Sequence, residues 1–250
     1  MLRLLSVFLI MWLTSNVAHA HFSIDKSRLY FDKANRFQTL TIRNNSEEPI
    51  VYIVKVNHVD MTEQGKLVAV ADESKVNQSA KKLVRYSPRR GSILPGGSQV
   101  LRFTVKKPAG LDSGEFRSQL RIEGGLQNDP NQLSARVAYN LPIIVRHGQT
   151  DAEATMHSFS VVNNEKGEPE LQFYLTRSGN RSTFGAFSVI DATGQEIGKT
   201  KGVSVYEPLE KRIVKILLNQ RPTGKLTVHY QELPEFGGDI KVSREFMVIN

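Results

Sequence analysis

The sequence predicts an all-β protein built as two tandem β-sandwiches, and three observations support this fold class. Apolar and polar side chains alternate over short runs that are rich in β-branched and aromatic residues. Turn-forming residues separate these runs, and no stretch shows the apolar spacing of an amphipathic helix over three turns. The chain has 250 residues, of which 40% are hydrophobic, so it is long and apolar enough to bury an ordinary core.

The first element is a predicted signal peptide at residues 1–20. Arg3 precedes the ten-residue apolar stretch Leu4–Leu13, and Ala18-His19-Ala20 has the small-x-small pattern of a cleavage site. In a helix, that stretch would span about 15 Å, roughly half of a bilayer's hydrocarbon core. We therefore expect a cleaved leader, no membrane insertion, and an exported, soluble protein.

Residues 21–147 are predicted to form the first sandwich. Turn residues such as Pro95-Gly96-Gly97 bound its strand-like runs. The runs are Leu40–Ile42, Ile50–Val56, Val100–Val105, Phe116–Ile122 and Leu133–Val145.

Residues 148–250 are predicted to form a second sandwich after the polar stretch His147–Glu153, which suits a linker. Asp191–Gln195 reads as a hairpin loop. Seven short runs at this spacing are typical of an immunoglobulin-like sandwich; a single large β domain is the alternative. The seven runs are Met156–Val162, Leu171–Thr176, Phe184–Ile190, Val203–Tyr206, Ile213–Leu218, Leu226–Tyr230 and Val242–Ile249.

The composition argues against catalysis and against a cofactor. The chain has no Cys, and its six His do not occur in the spacings of a metal site. It also lacks a Gly-x-Ser-x-Gly elbow and a phosphate-binding glycine loop. Lys and Arg outnumber Asp and Glu by 33 to 25, but the basic pairs lack the interleaved aromatic residues of a nucleic-acid platform. We expect no catalytic residues, no metal, no cofactor and no nucleic-acid partner.

Five short motifs in the first half occur in one order, and together they resemble the periplasmic chaperones of chaperone–usher pilus assembly. The resemblance covers residues 22–146 well and the second half only in layout. The motifs are Ile24–Phe31, Gln38–Ser46, Ser87–Phe103, Gly114–Leu120 and Leu141–Arg146.

The resemblance implies two immunoglobulin-like domains in a boomerang arrangement, located in the periplasm. It implies that the protein binds, folds and caps pilus or fimbrial subunits by lending them a β-strand, and delivers them to an outer-membrane usher. A second copy of the chain is a further possible partner, because the exposed strands of two copies could pair and cap each other in a dimer. The physical basis is that an unfinished sandwich exposes an unpaired ladder and an apolar groove, and an added strand covers both.

The segment from Leu133 to Leu141 alternates as a donor strand would. The resemblance makes Leu133, Ala135, Val137 and Tyr139 the donor side chains; without it, the same alternation describes an ordinary half-buried core strand. Ala135 departs from the expected pattern because a methyl group fills little of a pocket.

The resemblance also implies a basic anchor for the client's C-terminal carboxylate. Arg28 occupies the anchor position, where a guanidinium suits a carboxylate, although a solvated surface Arg is the alternative. Pro142 stands where the usual lysine would be, so Arg136 and Arg146 are candidate substitutes. Arg146 has a competing role in ion pairs between the domains. Since proline lacks an N–H, we expect Pro142 at a bulge or an unpaired position.

Two other function classes stay open on the sequence alone. One is a secreted two-domain binding or adhesive module of a surface fibre, although strand pattern begins almost at His21 and leaves no exposed donor segment before it. The other is a carbohydrate-active enzyme, for which no catalytic carboxylate pair is visible.

Overall fold

The computed structural model describes residues 22–127 and 136–248, which contain 18 strands and three short 3-10 helices. The predicted signal peptide lies outside these residues, as do Leu133 and Ala135. The strands are β1 (Phe22–Ile24), β2 (Leu29–Phe31), β3 (Phe37–Asn44), β4 (Ile50–Asn57), β5 (Val59–Met61), β6 (Leu67–Ala69), β7 (Val84–Ser87), β8 (Arg90–Ile93), β9 (Ser98–Val105), β10 (Gly114–Leu126), β11 (Val137–His147), β12 (Ala152–Asn163), β13 (Pro169–Gly179), β14 (Thr183–Ile190), β15 (Glu196–Val205), β16 (Lys211–Leu217), β17 (Gly224–Glu232) and β18 (Lys241–Val248). The 3-10 helices are Glu73–Lys75, Ala80–Lys82 and Pro234–Phe236.

The first sandwich packs two sheets against each other. Sheet A has the order β1-β3-β9-β7, and sheet B has the order β2-β11-β10-β4-β8. All pairings within these sheets are antiparallel except that of β2 with β11, which is parallel. β5 and β6 form a separate hairpin.

The second sandwich contains all seven strands that the sequence predicts. Sheet C has the order β12-β13-β16, and sheet D has the order β15-β14-β17-β18. The hairpin loop between β14 and β15 is also confirmed: the Asp191 N–H donates to the Gln195 carbonyl over 2.9 Å, and Gly194 has a φ of 87°. Together the two sandwiches confirm the predicted all-β class.

Each sandwich encloses its own hydrophobic core, because alternate strand residues point inward. In the first, Leu40, Leu101 and Phe103 are fully buried. In the second, Leu171 and Val228 are fully buried in a separate cluster.

β10 is buried on both faces along its first half, and this feature positions the candidate site. Phe116 and Leu120 point into the core. Glu115, Arg117 and Gln119 alternate with them and are only 2–3% exposed, although they face away from that core. The second sandwich covers this polar face; for example, the Glu115 N–H donates to the Asn180 carbonyl over 3.0 Å.

The segment that carries the Ile24–Phe31 motif, which the resemblance makes the first strand, is divided into two strands. The chain leaves sheet A after β1 and joins sheet B at β2, so Arg28 lies in the connection immediately before β2 rather than within a strand. The break lets one short segment cover an edge strand of both sheets, and it turns the Arg28 side chain toward the second sandwich.

Candidate functional site

The candidate site is the polar face of sheet B, where β2, β11 and β10 lie side by side. Gln119 pairs with Pro142 across β10 and β11, and Leu29 pairs with Ile143 across β2 and β11. Arg28, one residue before Leu29, therefore lies beside Pro142. Residues directly opposite one another share a face of the sheet, so Arg28, Pro142 and Gln119 form one transverse row.

Arg28 is 7% exposed and is held by side chains of the second sandwich. Its Nη2 donates to Ser204 Oγ over 3.3 Å and to Tyr206 Oη over 3.1 Å. Its guanidinium carbon lies 3.6 Å from the centroid of the Phe184 ring and 5.5 Å from that of Phe236. Aromatic faces attract a guanidinium, so the predicted anchor is a buried cation in an aromatic setting and not a solvated surface residue.

Arg117 is a second buried cation on this face, and the sequence analysis did not single it out. It is 3% exposed, its Nη2 donates to the Val59 carbonyl over 2.5 Å, and its guanidinium carbon lies 4.6 Å from the Tyr206 ring centroid. Burial lowers the pKa of the Arg117 guanidinium, and the nearby charge of Arg28 lowers it further. The sequence pattern that could have identified Arg117 is the alternation of polar residues at Glu115, Arg117 and Gln119, which places all three on one face of a predicted strand.

Arg146 joins the two sandwiches. Its Nε donates to Glu115 Oε2 over 3.1 Å, and its Nη1 donates to the Gly237 carbonyl over 2.7 Å. Its guanidinium carbon also lies 5.3 Å from the centroid of the Tyr30 ring. The ion pair with Glu115 lies within the first sandwich, and the contact with the second sandwich is a hydrogen bond to a backbone carbonyl, so the expected ion pair between the domains is not present at Arg146.

Arg136 is separated from the other predicted anchor residues. It is exposed and lies six positions before Pro142 along the chain, which corresponds to about 20 Å of extended strand. It lines a cavity of about 630 Å³ together with Lys55, Arg90 and Glu123. The structure thus brings Arg28 and Arg117 to the same region and leaves Arg136 at the other end of β11.

Pro142 lies in a regular ladder. The pairing of β10 with β11 has no register shift between Gly114 and Gly124, so the expected bulge is absent there. On the other edge of β11, the pairing with β2 covers only Ile143–Val145. Pro142 is therefore at neither of the two expected positions: it is paired with Gln119 on one edge of β11, and only the other edge lies outside the pairing with β2.

The two donor-strand residues that the structure describes, Val137 and Tyr139, are half-buried at the edge of the first core. The Tyr139 ring packs edge-to-face on Phe22 with 5.1 Å between centroids, and its hydroxyl donates to the Phe22 carbonyl over 2.8 Å. Further along the strand, Leu141 and Ile143 are 2% and 0% exposed. The core therefore becomes thinner toward the N-terminal end of β11, and it leaves apolar side chains partly uncovered there.

His58 lies beside this face. Its Nδ1 is 2.9 Å from the Arg117 carbonyl and its Nε2 is 3.5 Å from Asp60 Oδ1. Burial lowers the pKa of the imidazole below 6.5, and the charge of Arg117 lowers it further. His58 is therefore neutral near pH 7 in the folded protein.

Within the two described ranges, no cluster of three or more His, Cys, Asp or Glu side chains could hold a metal ion. Across the same residues, no helix has the length and apolar character needed to cross a bilayer.

Comparison with known proteins identifies the fold. No protein-family model matches the chain, and no curated protein matches it. Among solved structures, the YadV chaperone superposes with a TM-score of 0.53 at 11% identity, over 91% of this chain and 100% of that one. The Pseudomonas aeruginosa CupB2 chaperone superposes with a TM-score of 0.50 at 14% identity, over 90% and 100% of the two chains.

A chain from the complex of the Salmonella enterica SafA pilin with the SafB chaperone gives a TM-score of 0.50 at 13% identity, over 91% of this chain and 96% of that one. The two immunoglobulin-like domains that the resemblance implies are thus confirmed in both halves of the protein. The chain has the fold of these chaperones, with two tandem immunoglobulin-like β-sandwiches.

Proposed function

We propose that the protein is a periplasmic chaperone that binds and caps exported pilus or fimbrial subunits by strand donation and delivers them to an outer-membrane usher. Its fold is that of chaperones, one of which is paired with a pilin in its solved complex. The predicted leader at residues 1–20 would export it to the compartment where such subunits fold.

The open edge of β11 is the observation that carries this proposal. Among the described residues, no strand pairs with that edge between Val137 and Pro142, because β2 begins to pair only at Ile143. An edge with free backbone N–H and C=O groups is a template for another strand. An incoming subunit strand can form ladder hydrogen bonds there.

The side chains of the same segment can supply specificity. Val137 and Tyr139 are half-buried, so burial under a client would remove further apolar surface from water. Full burial of one such side chain contributes about 1.5–3 kcal/mol. The main-chain ladder would position the client, and these side chains, with Leu133 and Ala135, would enter its groove.

The three basic residues that the sequence analysis named receive different proposed roles according to where they lie. We propose Arg28 as the anchor for the client's C-terminal carboxylate. Arg146 is held between the sandwiches by Glu115 and Gly237, so we assign it to the domain interface. Arg136 precedes β11 and would flank the donated strand.

Co-expression tests the proposal. The protein is co-expressed with candidate pilus subunits from the same genome, and the periplasmic extract is fractionated by affinity and size. We expect a soluble one-to-one complex, whereas the subunit alone should aggregate or be degraded. Equal subunit yield with and without this protein would refute chaperone function.

A matched pair of variants tests strand donation. Val137→Asp puts a charge on the half-buried face of β11, and Ala138→Asp puts the same charge on the exposed face one residue later. We expect the first to lower subunit capture about tenfold or more, since a charge cannot enter an apolar groove without a large cost. The second should change it little. Circular dichroism verifies that both variants fold, and equal capture by both would contradict donation.

The free edge also predicts self-association. Without a client, two copies can pair through the same segment of β11, and the client should displace the second copy. Sedimentation before and after client addition measures this exchange.

A further inference from the structure

A cavity of about 910 Å³ lies where the first sandwich meets the segment that leads to the second one. Three stretches of chain line it: the turn between β2 and β3, the connection between β9 and β10, and the end of β11 with the residues that follow it as far as Thr150. Cavities of this size are typical of small-molecule sites, which often lie at domain boundaries. The cavity is at the end of β2 opposite to Arg28, and neither Arg28 nor Arg117 lines it.

Positive charge is concentrated in the lining of this cavity. Lys33 and Arg36 come from the β2–β3 turn, and Lys107 comes from the β9–β10 connection. Within residues 22–127 and 136–248, none of these three cations forms an ion pair with a carboxylate. Arg146 also lines the cavity, but its charge is paired with Glu115. The three remaining cations are therefore available to a ligand.

Asp32 is the only acidic side chain among the described residues that line the cavity. Its Oδ1 accepts from the backbone N–H groups of Ala34 and Asn35 over 2.8 and 2.7 Å. The carboxylate thus fixes the turn that presents Lys33 and Arg36. Three unpaired cations against one carboxylate leave the cavity with an excess of two positive charges.

Lys107 is held in place at the cavity wall. It is half-buried, and its Nζ donates to the Arg146 carbonyl over 2.8 Å. An ammonium has three N–H donors, so this bond leaves others for a ligand. Burial lowers the pKa of the Lys107 ammonium and the charge of Arg36 lowers it further, whereas Asp32 raises it. The two cations therefore lie close enough to repel each other, and both would attract an anion placed between them.

The charge and the lining together favour a phosphate monoester. Such a group carries roughly two negative charges near pH 7 and has three acceptor oxygens, which can face donors from several sides. A carboxylate carries only one negative charge and would leave part of the excess uncompensated. Ala34, Pro108 and Ala109 add small apolar surfaces to the lining, against which the organic part of the ester can pack.

We propose that this cavity binds a ligand with a phosphate monoester group, which Lys33, Arg36 and Lys107 hold together. The inference is independent of the proposed chaperone function. The ligand is either a free phosphorylated molecule or the headgroup of a lipid such as phosphatidic acid, since both present the same group. Because Gly148 is part of the lining, the ligand would contact both the first sandwich and the segment that leads to the second.

An NMR titration tests the site directly. Phenyl phosphate is the probe, and benzoate at the same ionic strength is the control with the same ring and a carboxylate. The backbone amide signals of Lys33, Ala109 and Gly148 report on the three stretches that line the cavity, and those of the loop Asp191–Gln195 report on the far end of β14. We expect phenyl phosphate to shift the first three signals saturably and to leave the loop unchanged, with little response to benzoate. Equal shifts with both salts, or no saturable shift, would overturn the proposal.

Two neighbouring lysines give a matched comparison. Lys107→Gln removes a proposed ligand-binding cation, and Lys106→Gln removes an exposed one that does not line the cavity. We expect the first to weaken the affinity for phenyl phosphate about tenfold or more and the second to change it less than about twofold. If Lys107→Gln does not fold, Arg36→Gln replaces it, since Arg36 is exposed and lines the same cavity. Equal affinities in the cavity variant and the Lys106 variant would contradict the site.

Vesicles distinguish the two sources of the phosphate group. The protein is sedimented with phosphatidylcholine vesicles that contain or lack phosphatidic acid. Cosedimentation that requires phosphatidic acid and is lost in Lys107→Gln but kept in Lys106→Gln would assign the site to a lipid headgroup. Binding of phenyl phosphate without cosedimentation would assign it to a free phosphorylated molecule. Binding of neither would refute the proposal and leave the proposed chaperone function untouched.

Discussion

Glu232 at the end of β17 offers a sharp test of how the second sandwich supports the candidate site. Its carboxylate is 2% exposed and accepts from Arg181 Nη1 over 3.0 and 3.1 Å. It also accepts from the backbone N–H groups of Phe184, Asp239 and Ile240 over 3.2, 3.0 and 3.1 Å. These bonds fix the loop that carries Phe236 against Arg28.

Glu232→Gln keeps the shape of the side chain but removes its charge. Oε1 accepts from Arg181 and Phe184, and Oε2 accepts from Arg181, Asp239 and Ile240, so the new amide nitrogen faces donors in either orientation. Breaking a buried ion pair costs about 3–5 kcal/mol. Asp239 still contacts Arg181 over 2.6 Å, so we expect the low end, about 3 kcal/mol.

The assay is urea and thermal unfolding of the full chain, followed by circular dichroism. For a sandwich of roughly 100 residues, a loss of 3 kcal/mol lowers Tm by about 12 °C or more. The control is Glu245→Gln in β18 of the same sheet, where the 3.1 Å pair with Lys225 is exposed on both sides. That pair should contribute less than about 1 kcal/mol. The reasoning fails if the two variants unfold at the same temperature.

Two further predictions concern the first sandwich. A Cβ at Gly124 would lie 2.7 Å from the ring of buried Phe22, whereas one at Gly125 would have ordinary contacts. Gly124→Ala should therefore cost about 1–3 kcal/mol in urea unfolding and Gly125→Ala clearly less, and equal losses would contradict this packing. For His58, the unfolded chain takes up a proton near pH 6.5 and the folded chain does so only at lower pH, so its contribution to stability is lost as pH falls below 6.5. His58→Asn, in which the amide can still donate to the Arg117 carbonyl, should lose less stability than the wild type between about pH 7.5 and 5.5; parallel pH profiles would refute this assignment.

Alternation in the sequence is sufficient to predict most of the strands. The runs around β4, β9 and β10 appear in the first half, and all seven runs of the second half are strands. The division of the first strand was not predictable, because β1 and β2 are three residues each and the change of sheet depends on distant partners. The β5–β6 hairpin was missed for a similar reason, since its two strands are also only three residues each.

The site was predictable only in part. The motif around Arg28 identified an arginine that the structure places on the polar face of sheet B. Arg117 was passed over because alternate charged residues on a strand usually face water. Here that face is covered, partly by residues around Val59 of the first sandwich and partly by the other sandwich, as Tyr206 does for Arg28 across 178 positions of sequence.

By itself, the sequence determined the β class, the strand periodicity and which side of each strand is apolar, because these follow from local alternation and turn chemistry. Only the tertiary structure decided which polar face is buried, how little of β11 is paired by β2, and which two arginines share an aromatic ring. These features arise from contacts between segments far apart in the chain. A local sequence pattern cannot show which distant segment will pack against a polar strand face.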